Sequence, residues 1–400
     1  MSADTAPPRA AGTSDEDLAE LGALLAGLDL PPEDPESIEA SRSYLQALAP
    51  GGWLVPGWPA EWGGRGANGA TAARIRSALR KGPAPDIYPF FVGVYMVGPT
   101  LLAHGDDSQR ARWLPPLIRG QHVWCQMFSE PGAGSDLANV STRAERTEDG
   151  WRLRGQKVWT SRGPYADWAI CLARTDPEVP KHDGLTMFAV KMDAPGVTVR
   201  PLRQMNGDEH FSEVFVDDVE IPDSHRIGEV GQGWKIALGV LSHERSSIGA
   251  VVGKARPAAR DVVPRWLQAL AKSGTLADPV RCDEAMSLYV ELEVTRLAGA
   301  RSAARTRAAG RPGPEASGHK IRVSDSRKRR AYVLTRLLGA EGLGTGHRSY
   351  YDLLTAPSHS LRGGTDEIQR NIVAERVLGL PAEPRLDRGV PWSTSRRGVT

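Results

Sequence analysis

Cysteine is scarce in this sequence: Cys125, Cys171 and Cys282 are the only three in 400 residues. They are odd in number and far apart, and no CxxC pair occurs. This excludes a disulfide framework and a thiolate zinc site, and it makes a reducing cytoplasm the expected compartment. The nine histidines show no HxxxH spacing, so no metal site is expected. Neither sign of charge is in excess: 50 Lys+Arg face 48 Asp+Glu, for a net +2. Such a chain has no broad basic field for nucleic acid. No apolar run reaches the ~18 residues of a membrane span. Lysine is also rare, 9 against 41 arginines; a GC-rich coding bias or sites for planar anionic groups would each account for this. The first 14 residues lack the basic and apolar regions of a signal peptide and are expected to form a disordered tail.

What is present is a change of pattern along the chain. Four hundred residues exceed a single small core. Residues 15–120 read as an N-terminal helical domain, with helices at Asp15–Leu28 and Ser37–Leu48 and an irregular stretch at Trp53–Gly66. Residues 121–231 read as a β domain. Short β-type runs at Val158–Trp159, Trp168–Ala173, Leu185–Val190, Val197–Pro201 and Glu213–Val219 are broken there by Gly, Pro and Asp. Residues 232–382 return to helix at Gly233–Ala255, Val280–Ala308, Ser326–Leu338 and Asp366–Leu378, with a loop over Ala309–Gly318; residues 383–400 are a tail. No internal repeat is visible. The expected class is mainly α with a central β domain.

Four segments carry chemistry. In Trp124-Cys125-Gln126-Met127-Phe128-Ser129-Glu130-Pro131-Gly132-Ala133-Gly134-Ser135-Asp136, two glycines free the backbone to approach a ligand, and Ser129 and Ser135 offer hydroxyls. A plain surface turn has the same composition. In Gly155-Gln156-Lys157-Val158-Trp159-Thr160-Ser161, Trp159 and Ser161 are two apart in a strand and can project to one side. That pair suits a flat heteroaromatic cofactor, although a strand Trp is also ordinary core. In the helix after Gly233, Ala237, Leu241, Ile248 and Val251 share one face, and Glu244 sits within that stripe. An ionised carboxylate there must be paired or have its pKa raised. It is either half of a salt bridge, for example with Arg245, or a general base tuned by desolvation. Finally, Arg362-Gly363-Gly364-Thr365-Asp366-Glu367 opens a helix, with Thr365 as N-cap and two acidic residues at its positive end.

In this order the segments resemble the acyl-CoA dehydrogenase family. The resemblance runs from Gly51-Gly52-Trp53 and Trp58-Pro59-Ala60-Glu61-Trp62-Gly63-Gly64, through Gly98-Pro99-Thr100-Leu101-Leu102 and the nine residues 128–136, to Gly364–Pro381. It implies an N-terminal helical domain, a central β-barrel and a C-terminal four-helix bundle, with FAD as cofactor. By the same resemblance, Gln126, Phe128 and Ser129 contact the flavin, Trp159 packs on the isoalloxazine, and Ser161 bonds flavin N5. Ser135 touches the CoA part of the substrate, and Thr365 and Glu367 lie beside the FAD adenosine.

Medium- and short-chain members carry a catalytic Glu immediately before the Gly-Thr of the last motif, where this chain has Gly363. Isovaleryl members carry it on a bundle helix, immediately before an Arg, which matches Glu244 followed by Arg245. The resemblance therefore implies that Glu244 removes the α-proton of an acyl-CoA or acyl-carrier thioester while the β-hydride passes to flavin N5. The Gly363 N–H and a ribityl hydroxyl would hold the thioester carbonyl. A base at this position is associated with branched or bulky acyl chains. An electron-transfer flavoprotein or similar acceptor is the implied electron partner. The Arg-x-x-Phe-Gly segment that reaches FAD of a neighbouring subunit has no counterpart in Val262–Ser287. A homodimer or homotetramer, an FAD-binding partner subunit of a mixed complex, and a related flavin oxidase or monooxygenase all stay open.

Overall fold

The structure is a computed structural model that describes residues 15–31, 37–82, 84–251, 263–309, 313–384 and 387–395, with the backbone alone at 245–251 and 306–309. The chain forms two compact units. The first comprises the chain up to Leu202, Glu209–Arg256 and the segment from Asp387 onward; the second comprises Arg203–Asp208 and Pro257–Leu386.

The first unit begins with helices α1 (Asp15–Ala26), α2 (Glu39–Leu48), α3 (Gly69–Leu79), α4 (Gly98–His104) and α5 (Asp107–Ile118). α5 starts where a capping box dictates. The Asp106 carboxylate accepts from the Gln109 N–H, and the Gln109 side chain returns to the Asp106 backbone. The strands follow: β1 (Trp124–Met127), β2 (Arg143–Arg146), β3 (Gly150–Ser161), β4 (Trp168–Arg174), β5 (Leu185–Lys191), β6 (Val197–Leu202), β7 (Phe211–Pro222) and β8 (Arg226–Ile227). Every residue of β4 is buried, because α-helical and β layers cover both of its faces. Trp113, Trp124 and Trp168 pack with ring centroids 5.6–5.9 Å apart and join α5 to β1 and β4.

The expected β-barrel is corrected by the strand order. The eight strands form one open sheet, β6-β7-β3-β2-β4-β5-β8, with β1 on β4. A barrel needs a continuous staggered register around its circumference. Here β2 and β4 share a single residue pair, Arg143 with Arg174, and the edge strands β6 and β8 do not meet. The sheet is thus two half-sheets hinged at one rung.

α6 (Gly233–Val251) packs against α4 and β5 within this first unit. The second unit contains α7 (Arg265–Lys272), α8 (Pro279–Ala309), α9 (Ala316–Leu338), α10 (Arg348–Thr355) and α11 (Asp366–Arg376); the chain then returns to the first unit with α12 (Trp392–Ser395). α9 starts ten residues before the expected Ser326, so the connection from α8 is shorter than the predicted Ala309–Gly318 loop. The residues expected to extend the helix after Val251 as far as Ala255 lie outside the described ones.

One buried ion pair organises the β domain. Lys157 on β3 is fully buried, and its Nζ donates to Glu130 Oε1 (2.9 Å), Leu172 O (2.7 Å) and Phe128 O (3.2 Å). Glu130 also accepts from the N–H and hydroxyl groups of both Ser141 and Thr142 at 2.6–2.8 Å. Burial alone would raise this carboxyl, but the Lys157 charge and the hydrogen bonds outweigh it and bring its pKa down to about 2. His225 lies against Trp113 and Trp168, and burial, together with the nearby Arg112 charge, holds its imidazole down at about 4.

Lys157→Met leaves the Glu130 charge buried without its cation and should cost about 3–5 kcal/mol, read as a lowered midpoint of denaturant unfolding. For both Glu130 and His225 the folded pKa lies below the unfolded one, so the unfolded chain binds more protons and acid destabilises the fold. The His225 contribution should be lost as pH falls from 6.5 towards 4, and the Glu130 contribution from 4.5 towards 2. Unfolding midpoints measured across these windows check both, and His225→Phe should lessen the slope of the upper window and leave the lower one unchanged.

Candidate functional site

The two glycine- and serine-bearing segments of the β domain meet at β3. The Val158 N–H donates to the Ser129 carbonyl (2.9 Å), next to the Lys157 bond to Phe128 O. Ser129 therefore lies directly beside the strand that carries Trp159 and Ser161. The strand is not regular there. From the Lys157–Val214 rung to the Thr160–Ser212 rung, β3 spends one residue more than β7, which is a β-bulge. Lys157 and Thr160 both point inward and are buried, although they are three apart. Trp159, at φ 61°, is turned outward and left 58% exposed, with the Phe211 ring perpendicular to it at a centroid distance of 5.8 Å. A non-glycine residue in the left-handed region is strained, and such strain is characteristic of functional sites. Ser161, half-buried, follows Trp159 across the buried Thr160. Gln126 and Ser129 are half-buried and Phe128 is buried at the end of β1.

Ser135 is exposed on the turn Pro131–Asp136, which Glu130 anchors at its start through its bonds to residues 141 and 142. The turn ends in a single 3-10 turn, Leu137–Asn139, held by Arg174. That guanidinium donates to Ala138 O (2.6 Å), Val140 O (3.0 Å) and Lys181 O (3.2 Å).

The position of Glu244 follows from the packing of α6. Gly233 touches β5 so closely that a Cβ would lie 2.5 Å from the Thr186 nitrogen, so only glycine lets the helix seat there. From that point Ile236, Ala237 and Val240 are buried, Lys235, Leu238 and Ser242 are exposed, and Glu244 is half-buried. Glu244 thus stands one turn beyond Val240, on the inward row. Burial lowers the pKa of the neighbouring His243. The side chains of Arg245, Ile248 and Val251 lie outside the described residues.

The last motif lies in the second unit. The Thr365 hydroxyl caps α11 by accepting from the Ile368 N–H (3.3 Å). Gly363 and Gly364 have φ of 69° and 84°, and a Cβ on Gly364 would meet Gln369 Nε2 at 2.6 Å. Glu367 is exposed and pairs with Arg370 at 3.7 Å. The buried member is Asp366, which accepts from Lys320 (2.8 Å) and faces Lys328 (3.6 Å). Burial works against its charge, but the two lysines prevail and its pKa falls to about 2. Of the four consecutive basic residues Arg327, Lys328, Arg329 and Arg330, two are neutralised by other charges: Lys328 pairs with Asp325 and Asp366, and Arg329 with Glu291.

Glu130, Lys157 and Arg174, which hold the site's loops, were not among the residues expected from the sequence. Arg174 stood out as the lone charge of an apolar strand, and Lys157 as a charge on the alternate row of β3 that carries Trp151 and Leu153. Among the described residues no group of acidic, histidine or cysteine side chains could hold a metal ion, and no helix is long and apolar enough to cross a membrane.

Comparison with known proteins agrees with this layout. Models of the acyl-CoA dehydrogenase N-terminal, middle and C-terminal domains match residues 32–121, 125–219 and 231–378. The acyl-CoA dehydrogenase FadE34 of Mycobacterium tuberculosis is 37% identical over 367 residues, 91% of this chain; the chain spans 50% of that longer relative. The acyl-CoA dehydrogenase IpdE1 of Mycolicibacterium smegmatis is 35% identical over 378 residues, 90% of this chain and 93% of that protein. The solved structure of the Tcur3481-Tcur3483 steroid ACAD superposes with a TM-score of 0.75 at 29% identity, covering 92% of this chain and 98% of that one. The chain belongs to the acyl-CoA dehydrogenase family of oxidoreductases.

Proposed function

We propose that this chain removes the α-proton and the β-hydride of an acyl thioester, leaving the trans-2-enoyl thioester. The observation that carries this is the junction of Ser129 with Val158 beside an outward-held, strained Trp159. It sets an exposed aromatic ring on the strand beside Ser129, with Ser161 two residues further along that strand. These residues fit FAD: Trp159 would pack on the isoalloxazine, and Gln126, Phe128, Ser129 and Ser161 would hold its edges. Thr365 and Glu367 would hold the adenosine end. When bound, FAD supplies the two-electron acceptor that takes the hydride.

The chain's own residues do the rest. Glu244 takes the α-proton: the Cα–H bond breaks as an O–H bond forms on its carboxylate, and the released pair becomes part of the Cα=Cβ double bond. The buried residues Ile236, Ala237 and Val240 lead along α6 to Glu244, which places the carboxylate one turn beyond the apolar part of the helix. The Gly363 N–H donates to the thioester carbonyl and stabilises the charge that develops there. Ser135, exposed on its turn, receives the CoA portion, and Arg245 flanks the base. A base on α6 and the steroid ACAD neighbour both support a bulky acyl group as substrate.

Glu244→Gln should keep FAD bound yet slow the anaerobic bleaching of the flavin by substrate by about 10²–10⁴-fold. Undiminished bleaching would remove Glu244 from this role. The substrate panel should pair a steroid side-chain CoA thioester with straight-chain ones, and faster bleaching is expected with the former. Trp159→Ala should fold, with unchanged circular dichroism, but lose FAD on gel filtration. The ratio of flavin to protein absorbance reports this, and full retention would count against the stacking role. Light scattering of the purified holoprotein separates a homo-oligomer from a subunit that needs a different partner.

A further inference from the structure

The last described residues of the chain, Asp387–Ser395, lie on the first unit, against the turn that carries Ser135. Trp392 is 7% exposed, and its Nε1–H donates to Asn139 Oδ1 at 2.7 Å, across 253 residues of sequence. The Arg174 guanidinium stacks over the Trp392 ring at 4.2 Å while holding the carbonyls of Ala138 and Val140. Alongside, the Trp392 N–H donates to Val179 O (2.9 Å) and the Ser393 N–H to Pro177 O (2.8 Å), both on the β4–β5 connection. That connection also carries Lys181, which bridges Asp136, the residue after Ser135, to Asp387. Burial works against the Lys181 charge, but the two carboxylates hold its pKa above the ordinary range.

Each end of the short segment Asp136–Asn139 is therefore fastened to the C-terminal segment, at Asp136 through Lys181 and at Asn139 directly. Two exposed glycines, Gly132 and Gly134, precede it, and a Cβ on either would meet nothing within 4 Å. Ala133, Leu137 and Ala138 are packed in the core on either side of Ser135, but Gly134, Ser135 and Asp136 between them are exposed, so the bonds at Asp136 and Asn139 set the course of this exposed stretch. We infer that Asp387–Ser395 is a strap, and Trp392 a positioning residue, that holds the Ser135 turn in the shape that receives the CoA portion of the thioester. This rests on the function proposed above, in which Ser135 faces that portion. The strap acts on thioester binding and leaves the proton- and hydride-removal groups untouched.

The test uses the full-length holoprotein with Trp392→Ala and Trp392→Phe. The second keeps the ring over Arg174 and removes only the donor to Asn139, so it guards against a general loss of fold. Amide hydrogen exchange of residues 131–140 should quicken in both variants, more in the alanine form, while exchange in β4 stays as in the parent. KM for the CoA thioester should rise by about 10-fold or more with kcat unchanged, since small misplacements of a positioning group carry large costs. KM for the N-acetylcysteamine thioester of the same acyl group, which lacks the nucleotide, should not move. Exchange and CoA-thioester KM equal to the parent's would overturn the inference, as would faster exchange with no change in KM. A parent protein that turns over no thioester would instead sink the proposed function, and the exchange experiment would still decide whether the strap holds the turn.

Discussion

The Lys157–Glu130 pair is the constraint on which the β domain depends. A fully buried ammonium is tolerated only when its hydrogens and its charge are met, and here one carboxylate and two carbonyls meet them. The carboxylate in turn takes four further hydrogen bonds from Ser141 and Thr142. Four stretches of chain are thereby drawn to one point: the end of β1, the start of β2, the middle of β3 and Leu172 on β4. The bulge at Trp159 follows, because Lys157 must point inward and Thr160 does so as well. The residues between them have only the outer side left.

The same logic explains the shape of the sheet. β3 is paired closely with β7 and β2, and β4 with β1 and β5, but the halves share one rung. What holds them is a shared apolar core, in which Trp151 of one half meets Phe188 of the other, together with side-chain bonds at that seam. Arg174, at the rung itself, donates to carbonyls of the 137–140 segment, and Lys157 reaches from one half-sheet to a carbonyl of the other. In the second unit a smaller version recurs: a buried Asp366 between two lysines seats the start of α11, and His359, close to Arg327 and Arg362, is kept neutral with its pKa down at about 3 by burial and by the charges around it.

Much of this was legible in the sequence because it is local. The N-cap at Thr365, the strands at Trp168–Ala173 and Leu185–Val190, and the helix beginning at Gly233 all follow from periodicity and turn chemistry, and they appear within a residue or two of where expected. The row leading to Glu244 was likewise visible, although its buried centre is Ile236 and Val240 rather than Ala237 and Leu241 alone. The misses are non-local. Sheet closure depends on whether edge strands meet, and no spacing within a strand reports that. Glu130 and Lys157 are 27 residues apart, and each looks like an ordinary surface charge until the other is placed beside it. The bulge was hidden for the same reason: it is a relation between β3 and β7.

The strap has a consequence for how the molecule is made. The first unit is discontinuous, and its seam at Arg174 is finished by Trp392, beyond the whole of the second unit in sequence. During synthesis the β sheet emerges early, but the turn at Asp136–Asn139 must wait for Trp392 to leave the ribosome. Contacts across so long a separation are slow to form, and domains ordinarily mature from the N-terminus forward. Here the order is reversed at one place: the loop bearing Ser135 is translated 253 residues ahead of the tryptophan that fastens its end. A chain stalled before Trp392 would thus present a first unit whose Asp136–Asn139 segment lacked its bond to the C-terminal strap.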